Sequence, residues 1–195
     1  VTHVFVLGSV LTLALTGRLL KCADAGGAAF LSRLLGGVHA AGLLHRVGAL
    51  VTFGYFGYHL WSLWKIKRER KLRLVDLVLG PDSLMFNLQD LREALATVKW
   101  FFYRGPRPSY GRWTYWEKFD YFAVFWGIAV IGSTGLTLWF PNAFTRLFPG
   151  WLLNVATIIH SDEALLATGF IFTVHFFNTH LRPEKFPMDI VVFTG

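Results

Sequence analysis

Apolar residues occur along this chain in long uninterrupted blocks. Four blocks are long enough to cross a bilayer as helices: about 4–20, 38–64, 119–140 and 151–179. Between the second and third lies a polar segment, 65–118, in which residues 87–102 have the leucine spacing of an amphipathic helix. The pattern predicts an all-α membrane protein, a four-helix transmembrane bundle that forms a single domain over residues 1–195.

Composition and charge predict a membrane protein and its orientation in the bilayer. Hydrophobic residues make up 54% of the chain and charged residues only 16%, which favours a membrane protein in contact with lipid. The segment 65–118 holds 12 of the 19 Lys and Arg residues, so the positive-inside rule predicts that this segment and both termini are cytoplasmic, in a bacterial inner membrane. These basic residues flank membrane spans, and we therefore expect no nucleic-acid partner. Because the first span is short, we expect the natural chain to be longer at both ends.

Two of the predicted spans each contain a pair of histidines. His45 and His59 are 14 residues apart, and His160 and His175 are 15 apart. In a helix these separations place the partners about 21 to 22 Å apart on similar faces. Imidazole is costly in hydrocarbon unless it has a partner, so four such residues predict haems stacked between the helices. With a single Cys22 and no C-x-x-C-H motif, this segment carries no covalent c-type haem, and two haem b groups are expected.

Topology assigns these histidines to two levels. Spans two and four run from outside to inside, so His45 and His160 meet at the outer level and are the predicted outer ligands. At the inner level His175 has two candidate partners, His59 by spacing and His3 by depth. The sequence leaves this choice open, and also whether a third haem is bound. His180 is turned about 140° from His175 in an α-helix, so it is expected to face the interface or solvent.

Four sequence motifs resemble those of a known family. They are His3 followed 14 residues later by Gly17, Leu44-His45-Arg46-Val47-Gly48, Thr134-Gly135-Leu136-Thr137-Leu138-Trp139, and His160 through Gly169 to His175. In this order they resemble the four-helix dihaem cytochrome b subunit of membrane-bound formate dehydrogenases, related to those of nickel-iron hydrogenases and thiosulfate reductases in the cytochrome b561-like superfamily. The resemblance implies that His45 and His160 bind the outer haem, and His3 and His175 the inner one. The 15-residue spacing in span four and the presence of His59 depart from that family.

Other residues are candidates for the haem and quinone environments. Small residues that let a porphyrin approach a helix include Gly48 and Gly169, with helix packing as the alternative explanation. Cationic partners for haem propionates, or ordinary membrane-edge anchors, are Arg33, Arg46 and Arg182. The resemblance also implies a quinone site where span three begins, with Glu117, Lys118 and Asp120 as proton donors. As charges at a helix start, these three also have a purely structural explanation.

The function expected from these patterns is electron transfer across the bilayer. A membrane-bound b-type cytochrome subunit would connect an extracytoplasmic redox partner with menaquinone or ubiquinone through two bis-histidine haems, as part of an oxidoreductase complex. The partner would be an iron-sulfur subunit or a multihaem c-type cytochrome, since residues 180–189 resemble segments that accompany the latter. The alternatives are a self-contained cytochrome b561-type transmembrane reductase and a non-redox membrane anchor. The direction of electron flow stays open.

Overall fold

The computed structural model describes residues 2–22, 25–80, 83–181 and 186–187, and every element in these ranges is helical. The α-helices are α1 Thr2–Lys21, α2 Gly26–Leu34, α3 Val38–Glu69, α4 Leu74–Leu79, α5 Leu88–Phe101, α6 Tyr115–Gly127, α7 Ser133–Trp139, α8 Pro141–Phe144 and α9 Trp151–Phe170. Three π-helical segments accompany them: π1 Ile128–Gly132, π2 Ile171–His175 and π3 Phe177–Leu181. The predicted all-α class is confirmed.

Several of the helices are long and apolar enough to cross a membrane. Three qualify on their own: His3–Lys21, Tyr115–Trp139 and Trp151–Leu181. A fourth qualifies only when α2 and α3, which meet at a bend of 76°, are taken as one broken span. Polar residues within α3, including Arg46 and the histidines, lower its hydropathy. The helices are thus compatible with a multi-pass membrane protein, while the fourth span and the orientation stay predictions.

The chain divides into two compact units, and the first consists of Val1–His59 and Gly127–Gly195. In it, α9 packs against both α1 and α7. Apart from Leu19, its buried residues are small, among them Thr16, Ala41, Thr137 and Ala156. Small side chains allow helix backbones to approach closely, which is the usual packing mode where lipid surrounds the helices.

The second unit is Leu60–Trp126, and its best-defined element is α5. Asn87 caps this helix by accepting hydrogen bonds from the backbone of Gln89 and Asp90, and the Asp90 side chain accepts one from the Asn87 backbone. This reciprocal capping box satisfies amides that would otherwise lack partners at the helix start. The amphipathic helix predicted for residues 87–102 is confirmed with nearly the same bounds.

The third and fourth apolar helices contain π-helical turns that the hydrophobic pattern did not predict. Hydroxyl side chains return hydrogen bonds to carbonyls four residues earlier, as in Thr134 to Val130 at 2.7 Å and Thr179 to His175 at 2.8 Å. Such bonds compete with the regular helical ladder and distort it. A π-turn joins residue i to i+5, so it changes which side chains share a face of the helix.

Candidate haem-binding site

The structure brings His45 of α3 and His160 of α9 together, at the level where the sequence predicts the outer haem. Their ring centroids are 6.1 Å apart, and the ring planes meet at 75°. A metal ion bonded to one nitrogen of each imidazole at about 2 Å requires ring centroids about 6 Å apart when both nitrogens face it. The observed separation therefore fits a haem iron held between the two rings.

The supporting contacts of His45 fix which of its nitrogens carries the proton. Its Nδ1 lies 3.0 Å from the Thr16 hydroxyl, which itself donates to the Thr12 carbonyl at 2.6 Å. Because that hydroxyl has one hydrogen and uses it on Thr12, it accepts a hydrogen bond from His45. Neutral His45 is thus protonated at Nδ1 and keeps the Nε2 lone pair for a metal.

The same arrangement holds His160 from the other side. Its Nδ1 lies 2.9 Å from the carbonyl of Ile131 and 3.3 Å from the Thr134 hydroxyl. A carbonyl can only accept, so Nδ1 carries the proton here as well. Ile131 belongs to the π-turn π1, and the Thr134 hydroxyl already donates to Val130. In both histidines, therefore, Nε2 is the nitrogen that carries no proton and can bind a metal.

Glycines at equivalent positions make room for both rings. A methyl group added at Gly17 would lie 3.3 Å from Cε1 of His45, and one added at Gly135 would lie 2.9 Å from Cε1 of His160. Gly17 directly follows Thr16, which accepts a hydrogen bond from His45. Gly135 directly follows Thr134, which accepts one from His160. A Thr-Gly dipeptide on α1 thus supports the histidine on α3, and a second Thr-Gly dipeptide on α7 supports the histidine on α9.

At the inner level the structure places His3 within range of electrostatic interaction with His175 and His180. His180 is half-buried, and its position at the interface stays a prediction. Its Nδ1 atom is buried, with no hydrogen-bond partner in the part of the chain that the structure describes, and its ring centroid is 5.0 Å from that of Phe176. Because π-helical turns lie between His175 and His180, the 140° rotation expected for an α-helix does not apply to this pair.

The remaining inner candidate, His59, is half-buried on α3. His3 interacts electrostatically with both His175 and His180, and no distance singles out one pair. The choice between His3 and His59 as the second inner ligand therefore stays a prediction.

The other predicted haem-environment residues occupy several kinds of position. The Arg46 guanidinium lies 5.7 Å from the centre of the Trp139 ring, at the outer end of the third apolar helix, and Arg33 is exposed on α2. Gly48 packs against α1, since a methyl group there would lie 3.1 Å from Leu13 Cγ, whereas Gly169 has open space around it. Arg182 lies outside the described residues.

The three predicted quinone-site residues all lie in the second unit, and two have structural partners there. Glu117 accepts hydrogen bonds from the backbone and hydroxyl of Thr114 at 2.8 and 2.7 Å, which caps the start of α6. The ammonium group of Lys118 is 2.8 Å from the Asp90 carboxylate, and both side chains are buried. Asp120 is half-buried. The quinone site stays a prediction that rests on the family resemblance.

Sequence reasoning named His45 and His160 but missed the residues that orient them. The signal that could have found Thr16 and Thr134 is the Thr-Gly dipeptide that occurs in both the first and the third apolar helices, at the depth of the outer histidines. Nothing in the sequence pattern indicated the role of the Ile131 carbonyl, which depends on a π-turn. Comparisons of the chain with models of known families, with curated proteins and with solved structures found no match.

Proposed function

We propose that this chain is a membrane-bound b-type cytochrome subunit that carries electrons across the bilayer between an extracytoplasmic redox partner and the quinone pool, through two bis-histidine haems. One observation carries the proposal: His45 and His160 lie 6.1 Å apart between ring centroids, each with Nδ1 turned to a hydrogen-bond acceptor on another helix. This arrangement leaves Nε2 of both rings available to bind iron.

The chain's own residues account for the binding and orientation that this function needs. Thr16 and Ile131 fix the imidazole tautomers, so that each Nε2 is free to bind iron without prior proton transfer. Gly17 and Gly135 let the rings lie against the supporting helices. A bound haem supplies one-electron transfer, and imidazoles on both faces of the iron leave no coordination position for oxygen or substrate.

The inner haem and the quinone pool enter the proposal on other grounds. The electrostatic interaction of His3 with His175 supports an inner pair. The choice of quinone as the electron partner comes from the family resemblance. The identity of the outer partner as an iron-sulfur or multihaem subunit has the same origin.

Haem content of the purified protein is the decisive test. We expect the dithionite-reduced wild type to show a b-type α band and two haems per chain by the pyridine haemochromogen assay. His45→Ala and His160→Ala should each reduce this to one, because a single imidazole holds haem weakly. His39→Ala is the matched control: this exposed histidine lies six residues before His45 on the same helix and should leave both haems. A wild-type protein without a b-type spectrum would contradict the proposal.

Quinol oxidation tests the proposed electron partner separately. Adding a quinol analogue to the oxidised protein in lipid discs should reduce haem, and a quinone-site inhibitor should block this reaction. Ascorbate should reduce haem slowly or not at all. Rapid reduction by ascorbate with no response to quinol would instead identify a self-contained transmembrane reductase.

A further inference from the structure

Helix α5 presents its apolar side outward. The exposed stripe repeats every three to four residues and consists of Leu88, Leu91, Leu95, Val98 and Phe102, each at least 53% exposed. Phe101, next to the stripe, is 71% exposed. Such a stripe normally faces a protein core, and one left outside indicates a binding surface.

The polar side of the same helix is turned inward. Asp90 is 3% exposed and pairs with Lys118, while Glu93 is 9% exposed and accepts a hydrogen bond from Gln89 at 3.0 Å. The Thr97 hydroxyl is 2.8 Å from the phenol oxygen of Tyr110. These contacts fix the rotation of α5 about its axis, so the outward position of the leucines is a property of the packed unit.

Exposed charge beside the stripe has one sign only. The acidic residues of the segment 88–113 are Asp90 and Glu93, and both are buried. Its basic residues are all exposed: Arg92, Lys99, Arg104, Arg107 and Arg112. An apolar stripe flanked by exposed cations is the pattern of a helix that lies on an anionic lipid surface.

The ion pair also fixes where α5 lies along the third apolar helix. Lys118 is the fourth residue of α6, and α6 begins the candidate membrane span Tyr115–Trp139. A short buried contact between Asp90 and Lys118 therefore holds α5 beside the first turn of α6, where the candidate span begins. Because the end of a membrane span lies near the membrane surface, lipid headgroups would be within reach of the exposed stripe.

We propose that α5 lies in the plane of the membrane, with Leu91 and Leu95 in the acyl boundary and its flanking cations among anionic lipid headgroups. This interaction is independent of haem. It provides the second unit with a lipid anchor beside the start of a span, and it commits the exposed stripe to lipid instead of to another protein.

Collision accessibility of spin labels on the full chain in lipid discs tests this directly. In a Cys22→Ser background, labels at Leu91→Cys and Leu95→Cys should collide with oxygen more than with a water-soluble nickel chelate. The matched control is Arg92→Cys, which lies next to Leu91 but about 100° round the helix and should favour the nickel chelate. Discs with phosphatidylglycerol should show a contrast about threefold larger than discs of phosphatidylcholine alone.

Each outcome decides the proposal. Oxygen preference at 91 and 95, with the stated dependence on phosphatidylglycerol, supports it. Preference for nickel at both positions would place the stripe in water and overturn it. Low accessibility to both reagents would mean that protein covers the stripe, which overturns it in favour of a docking surface. Equal contrast in both lipids would overturn the choice of anionic lipid.

Discussion

The two histidine levels of the first unit are built differently. At the outer level, His45 and His160 lie within regular α-helices, and each has a Thr-Gly dipeptide to orient it, with the Ile131 carbonyl as a further partner of His160. At the inner level, His3 lies at the start of α1, while His175 and His180 lie in π-helical turns. In regular α-helices, the residue spacing predicts which histidines form a pair. At the distorted helix ends, several histidines are candidates for the same ligand positions.

The largest effect that separates the levels is the loss of a whole haem. We expect His3→Ala to reduce the haem content from two to one per chain, because His3 is within electrostatic range of His175 and would supply the second inner imidazole. His59→Ala should keep both haems. The measurement is the pyridine haemochromogen assay on purified protein, with redox titration to show which potential disappears.

The opposite result would refute the assignment. If His59→Ala loses the inner haem and His3→Ala does not, α3 provides ligands to both levels and the family resemblance fails at this position. Loss of haem in neither variant would point to His180 as the partner of His175.

The contrast between the levels also shows what a sequence can predict. His45 and His160 were placed together correctly because residue spacing, rise per residue and topology all apply to regular helices. The position of His180 cannot be predicted in this way, because the 100° rule does not apply across π2 and π3. The contact of Gly48 with Leu13 could not be predicted either, since spacing alone cannot tell which neighbour fills the gap left by a glycine.

Added methyl groups should affect the two outer supports unequally. Gly135→Ala would place a methyl group 2.9 Å from the His160 ring, and Gly17→Ala would place one 3.3 Å from the His45 ring. An imidazole bound to iron cannot move away freely, so Gly135→Ala should weaken outer haem binding by about 1–3 kcal/mol and Gly17→Ala by less. Haem retention during titration with apomyoglobin measures both.

Gly54→Ala is the control for this series, because no atom lies within 4 Å of a methyl group at that position. Alanine is a better helix former than glycine, so a loss of haem in Gly135→Ala would not come from a weaker helix. Equal haem retention in all three variants would contradict the close approach of the rings to the helices.

Removal of the threonine acceptors should produce a smaller change. Thr16→Val takes away the acceptor 3.0 Å from His45, and Thr134→Val takes away the more distant of two acceptors of His160. Removal of such a hydrogen-bond partner of a metal-bound histidine typically weakens metal binding by about 10-fold to 100-fold. We therefore expect haem binding to weaken by about 10-fold in Thr16→Val and by less than that in Thr134→Val. Conversion of either site to Ser should restore binding, since serine also provides a hydroxyl acceptor.

We expect the smallest effect from replacement of His180, which tests whether this residue is a ligand of the inner haem or only lies near it. His180 is a neighbour in this arrangement, so His180→Leu should keep two haems and shift only the inner midpoint potential, by on the order of tens of millivolts, because a polar group near the iron is lost. His39→Leu, at the exposed start of α3, should change neither potential. A shift in both potentials would mean that His180 acts through the fold, whereas loss of the inner haem would make it a ligand. Because π-helical turns lie at His175 and at His180, replacement of His180 measures whether this distortion of the helix serves the haem site or only the packing of the helix end.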